Sequence, residues 1–204
     1  LWRYAPAVAP RPAHAAPLRL RAHAGPLSRL VAFCALRGVM MLSVITFLPV
    51  LWHQQGGSLT GGASFITVLL LVGIIGNLGG GRVGDRIGRR PVIVISIVAA
   101  VVLLAGFMQA SGALAWLLLA LLGIALFASL PLTVLIAQDI LPENRSLGGG
   151  LSLGFANALG ALGVLALGPV ADAWGPSMAL WAAVICGACA IPLALTLPDS
   201  TQPT

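Results

Sequence analysis

The sequence predicts an all-α polytopic membrane protein, six transmembrane helices arranged as an inverted three-plus-three repeat. Three observations carry that expectation. The chain is 59% hydrophobic and 8% charged, with a mean hydropathy of +1.02, whereas ordinary globular chains carry roughly 25% charged residues. Its apolar runs approach the ~20 residues that a hydrocarbon core of about 30 Å requires of a helix. A shift of 87 residues lays one short motif, starting at Gly81, over another starting at Gly168.

Residues 1–28 differ from the rest of the chain. Pro6, Pro10, Pro12, Pro17 and Pro26 interrupt helix formation, and Arg3, Arg11, Arg19 and Arg21 occur without an acidic residue. An Arg-rich targeting peptide has such a composition, but a disordered linker, truncated ahead of the membrane domain, is the reading preferred. The six-helix domain is expected over 29–198, with 199–204 as a C-terminal tail. Its segments run at roughly 30–51, 61–81, 91–109, 115–137, 147–169 and 177–197. Gly, Pro or polar residues mark most of the short connections. In lipid such segments are helical, because backbone groups find partners only within their own chain.

Charge sets the expected orientation. The net charge is +6, and every basic residue is Arg. Arg29, then Arg82, Arg86, Arg89 and Arg90, then Arg145 fall on one side, while the opposite connections contain none. By the positive-inside rule both termini are cytoplasmic. Trp52, Trp116 and Trp174 fall near the opposite ends, at the headgroup depth that indole prefers. Arginines placed at segment ends argue for membrane topology rather than nucleic-acid binding. Cys34, Cys186 and Cys189 all lie in apolar runs, which argues against a disulfide framework. No cofactor or metal is expected.

The repeat is the next signal. Gly81-x-Val83-Gly84-Asp85-x-x-Gly88 falls on Gly168-x-Val170-Ala171-Asp172-x-x-Gly175. Three crossings invert the second copy, and its Ala173 stands where the first copy has Arg86. The third and sixth segments hold almost nothing polar, Ser96 in one and Thr196 near the end of the other, and are expected at the lipid-facing periphery.

Gly81-Arg82-Val83-Gly84-Asp85-Arg86-Ile87-Gly88-Arg89-Arg90 closely resembles the signature loop of the major facilitator superfamily of transporters. Inverted three-helix repeats within each six-helix half are what that fold is built from. The resemblance covers 29 to about 197 and implies one half of a twelve-helix secondary transporter. It also implies that Gly81, Gly84, Asp85, Arg86, Gly88, Arg89 and Arg90 form a conformational latch, with Asp85 paired to Arg86 or Arg89 or capping a neighbouring helix. The blander alternative is a hairpin whose arginines only set topology.

More narrowly, Thr46-Phe47-Leu48-Pro49, Gln138-Asp139-Ile140-Leu141-Pro142 and Gly150-Leu151-Ser152-Leu153-Gly154-Phe155 look like the C-terminal half of fosmidomycin-resistance-type efflux transporters. That implies proton-driven export of a small, drug-like compound, an anion being one candidate, across a bacterial inner membrane. The partners implied are a small-molecule substrate, the proton as coupling ion, the bilayer, and either a missing N-terminal half or a second copy.

Arg37 is the sharpest single residue. It lies ~12 Å into the first segment at 1.5 Å per residue, where a charge either faces a cavity or partner or snorkels to the interface. Thr46, Asn77, Gln138 and Asn157 join it as candidate cavity or substrate residues. No Asp or Glu lies in mid-segment, so if transport is coupled to protons, the titrating carboxylate is expected outside this chain.

Other classes have weaker support. Gly150-Leu151-Ser152-Leu153-Gly154 fits a hydrolase pattern, and Cys186-Gly187-Ala188-Cys189 a redox one, so an intramembrane serine protease or thiol-electron carrier is an alternative. Each lacks its context: a strand-to-helix turn for the first, and polar neighbours that lower a thiol pKa for the second. A membrane scaffold or inactive fragment is the remaining alternative.

Overall fold

The computed structural model describes residues 20–199. Six helices in it are long and apolar enough to cross a membrane, and the chain is an integral membrane protein. Helix α1 spans Leu20–Gln54, α2 Leu59–Ile87 and α3 Arg89–Phe107. Helix α4 spans Gly112–Ile140, α5 Pro142–Trp174 and α6 Pro176–Leu195.

Two boundaries near the charged and N-terminal stretches differ from the sequence expectation. Helix α1 starts at Leu20 and carries Pro26 internally, so residues 20–28 are helical and only the remainder of the expected tail lies outside the described residues. The same is true of 200–204 at the other end. Helix α2 continues through Gly81, Gly84, Asp85 and Arg86 to Ile87. The expected charged loop is therefore the end of a helix plus a one-residue turn. Hydrogen bonds within the chain satisfy the backbone up to the last available residue, and only glycine can then reverse it.

Packing follows the repeat. Helix α1 lies against α5 and α6, and α4 lies against α2 and α3, while α3 and α6 meet each other. This is the pairing expected if α1–α3 and α4–α6 are related by a pseudo-two-fold axis.

Small residues set the closest contacts. On α2, Gly76, Gly80 and Gly84 form a ladder at four-residue spacing facing Ile124, Ala128 and Leu132 of α4, which are spaced alike. A Cβ on Gly76 or Gly80 would overlap main-chain atoms of Ile124 or Ala128, and one on Gly84 would overlap the Leu132 side chain. In the second repeat, a Cβ on Gly160 of α5 would come within 2.9 Å of the Gly38 main chain of α1. Without a hydrophobic drive between helices in lipid, such backbone approach is what holds them together.

Two helices depart from regular geometry. Helix α4 breaks at Ser129, with Pro131 opening its second half, Leu130–Ile140. Proline supplies no N–H to the ladder and clashes with the preceding turn. Helix α5 contains a π-helical turn, Leu151–Phe155, between Arg145–Gly150 and Ala156–Trp174.

Candidate functional site

The first candidate region is the turn joining α2 to α3. Gly88 sits at φ 102° and ψ 148°, and its N–H donates to the Gly84 carbonyl at 3.1 Å. The α5–α6 turn repeats this 87 residues later. Gly175 has φ 88° and ψ 159°, and its N–H donates to the Ala171 carbonyl at 2.9 Å. Each is followed by a helix with proline in its first turn, Pro91 or Pro176. Glycine is required at both because a Cβ is strained at positive φ.

The side chains around the first turn separate into two sets. Asp85 and Arg86 are exposed. Arg89 forms a salt bridge with Asp139 near the end of α4, tying the first repeat to the second. The expected pairing of Asp85 with Arg86 or Arg89 does not occur, and Asp85 makes no ion pair among the described residues. Arg82 donates instead to the Leu78 carbonyl one turn back, at 3.3 Å. Gly81 has open space around it, whereas Gly84 is a packing position against Leu132. Arg90 is half-buried beside Pro91.

The second region surrounds Arg37. Its residue exposure is 1%, so the guanidinium neither reaches the interface nor opens onto a surface cavity. Its Nη1 donates to the Leu126 carbonyl of α4 at 3.4 Å, and Nε has no partner among the described residues. That carbonyl is free because α4 breaks three residues later; the last carbonyls of a helix segment have no intrahelical donor. Ser129 Oγ donates to the same oxygen at 3.4 Å.

One turn before Arg37 lies Cys34, buried, its Sγ 3.8 Å from Ser152 Oγ on the π-turn. Thr133 is buried beside them and donates to the Leu130 carbonyl at 2.8 Å. The cluster thus gathers α1, α4 and α5 around one guanidinium, with no carboxylate paired to it among the described residues. Ser152 lies in a helix rather than at a strand-to-helix turn, which removes the structural context of the hydrolase pattern.

The remaining candidates are dispersed. Thr46 lines a groove of about 410 Å³ between α1 and α5 with Leu42, Phe47, Ala161, Val164, Leu165 and Gly168. Asn157 is exposed on that side of α5, its Oδ1 3.6 Å from where a Cβ on Gly38 would lie. Asn77 is exposed on α2, and Gln138 is half-buried near Gly149. Arg37 is thus buried inside the bundle, whereas Asn77 and Asn157 are exposed on its outside.

Sequence reasoning gave Ser129, Thr133 and Cys34 no site role, and weighed Ser152 only within the hydrolase pattern. The break that presents the Leu126 carbonyl was signalled by Pro131, but the π-turn had no signal in composition or spacing.

Comparison with known proteins agrees with this architecture. Over 112 residues (55% of this chain) it is 40% identical to the uncharacterized MFS-type transporter YfnC of Bacillus subtilis (strain 168). Over 122 residues (60% of this chain) it is 31% identical to the Fosmidomycin resistance protein of Escherichia coli (strain K12). These matched stretches span 27% and 30% of the two relatives' own lengths. Residues 4–151 match the sequence profile of the Major Facilitator Superfamily. Six apolar helices, the paired turns at Gly88 and Gly175 and that match place the chain in the Major Facilitator Superfamily.

Proposed function

We propose that this chain acts as the C-terminal six-helix half of a twelve-helix secondary transporter that exports a small molecule by alternating access. The observation carrying this is the contrast between the more deeply buried helices α1 and α4 and outward faces of α2 and α5 that no described helix covers. Leu71, Ile75 and Leu78 on α2 and Leu162 and Leu165 on α5 are exposed, and Asn77 and Asn157 lie on the same helices. Polar groups on a membrane helix are costly against lipid, so a second six-helix unit, or a second copy, is the expected cover. Thr46 and Asn157 would then border the central cavity, with Asn77 and Gln138 nearby.

In this reading the turn at Gly88 is the latch. Asp85 and Arg86 stand exposed and are available to the opposing unit, while Arg89 is held by Asp139. Arg37 would serve an anionic substrate or a carboxylate of the other half once α5 moves. The arginine-rich side is the cytoplasmic side of a bacterial inner membrane, with both chain ends there. The likeness to the Fosmidomycin resistance protein suggests drug efflux; in this reading the proton is the coupling ion, and its titrating carboxylate lies outside this chain.

Uptake of fosmidomycin into bacterial cells tests the proposal. The chain expressed alone is expected to leave accumulation unchanged, and the chain joined to a preceding six-helix half to lower it. A protonophore should abolish that effect. Robust efflux by the lone monomeric chain would refute the half-transporter reading, and efflux indifferent to the protonophore would refute proton coupling.

A further inference from the structure

A groove of about 420 Å³ runs between the arginine-rich ends of α3 and α6, lined by Arg90, Pro91, Val94, Ile95, Leu195 and Asp199. These are the helices with almost no polar residues. Their one mid-helix hydroxyl, Ser96, is buried, while Ile95 and Leu195 are 60% and 48% exposed. The groove therefore opens towards hydrocarbon, with its polar end where α3 begins and α6 ends.

The polar end is asymmetric in charge. Arg90 makes no hydrogen bond or ion pair among the described residues, whereas Asp199 has interactions of its own and is not a free carboxylate. An unengaged guanidinium above an apolar slot matches a phosphate above an acyl chain. Arginine's planar fork suits phosphate oxygens, and basic sites between transmembrane helices on the cytoplasmic side bind anionic headgroups.

We propose that this groove seats one anionic phospholipid, its phosphate on Arg90 and one acyl chain along Val94, Ile95 and Leu195. The assignment concerns the lipid-facing side and is independent of the transported substrate.

The full 204-residue chain, purified and placed in phosphatidylcholine nanodiscs with or without phosphatidylglycerol, provides the test. Phosphatidylglycerol is expected to raise Tm by several degrees, as any ligand selective for the folded state does, and native mass spectrometry should retain one such lipid. Arg90→Gln should weaken retention roughly five-fold, Arg90→Lys should keep part of it, and Arg145→Gln, on the same side, should leave it unchanged. Ile95→Trp, which fills the slot, should weaken it while leaving Arg90 in place. Equal Tm in the two lipids, or undiminished retention by Arg90→Gln, would overturn the proposal. So would an equal shift from inorganic phosphate in pure phosphatidylcholine, which would assign the site to a free anion.

Discussion

The turns at Gly88 and Gly175 have nearly the same backbone and opposite surroundings. Both reverse the chain at one positive-φ glycine, with the N–H returned to the carbonyl four residues earlier. Around the first stand Arg82, Asp85, Arg86, Arg89 and Arg90; around the second, Asp172 alone is charged. The contrast continues inside the bundle, where the 87-residue shift places Ile124 opposite Arg37. Backbone geometry is thus what the repeats share, because helix packing demands it twice. Charge is what they do not share, and the proposed function assigns that difference to the two sides of the membrane.

The largest effect is expected where the repeats differ most. Arg37→Met should abolish transport by the assembled protein, since the anion or carboxylate that the proposed function brings to Arg37 would lose its partner, at a cost of about 2–5 kcal/mol. The same change should leave Tm in detergent unchanged or higher, because a buried cation without a counter-ion is replaced by a side chain that packs. A large loss of Tm would instead make Arg37 a structural residue.

Next come the shared positions. Gly88→Ala and Gly175→Ala should each destabilise by about 1–3 kcal/mol, the cost of an L side chain in a glycine conformation. Thermal unfolding of both variants checks this. Gly88→Ala should cost slightly more, as its Cβ would lie 3.3 Å from Pro91 and 3.4 Å from Asp199, whereas at Gly175 the nearest atom is 3.9 Å away. Sensitivity at Gly88 alone would mean that the second turn is not a structural copy of the first.

The smallest effect should distinguish the two aspartates. Asp85→Asn is expected to slow transport several-fold, about 1 kcal/mol, without moving Tm, because Asp85 is exposed and unpaired among the described residues. Asp172→Asn should alter neither rate nor Tm. Equal slowing by both variants would remove the functional asymmetry between the turns.

Much of this was legible in the sequence. Hydropathy located all six helices, since twenty apolar residues have few other uses. The match of Gly81–Gly88 to Gly168–Gly175 anticipated two equivalent turns, although the turns proved shorter than the charged stretch suggested. The glycine ladder on α2 was overlooked, because Gly76, Gly80 and Gly84 identify a contact only once Ile124, Ala128 and Leu132 are known to face them. The site was less legible: proposing Asp85 as the partner of Arg86 or Arg89 relied on proximity in sequence, and the fold brings Asp139 to Arg89 from fifty residues away.

By itself, then, the sequence determined the membrane class, the number of helices, the repeat and the position of the charged turn. Each of these comes from local composition or from periodicity along the chain. Only the tertiary structure decided that Arg37 turns inward to a carbonyl freed by the break in α4, that a π-turn brings Ser152 to Cys34, and that Arg90 is left unengaged above an apolar groove. Those outcomes depend on how helices distant in sequence rotate and pack against each other, and no single helix encodes its own rotation.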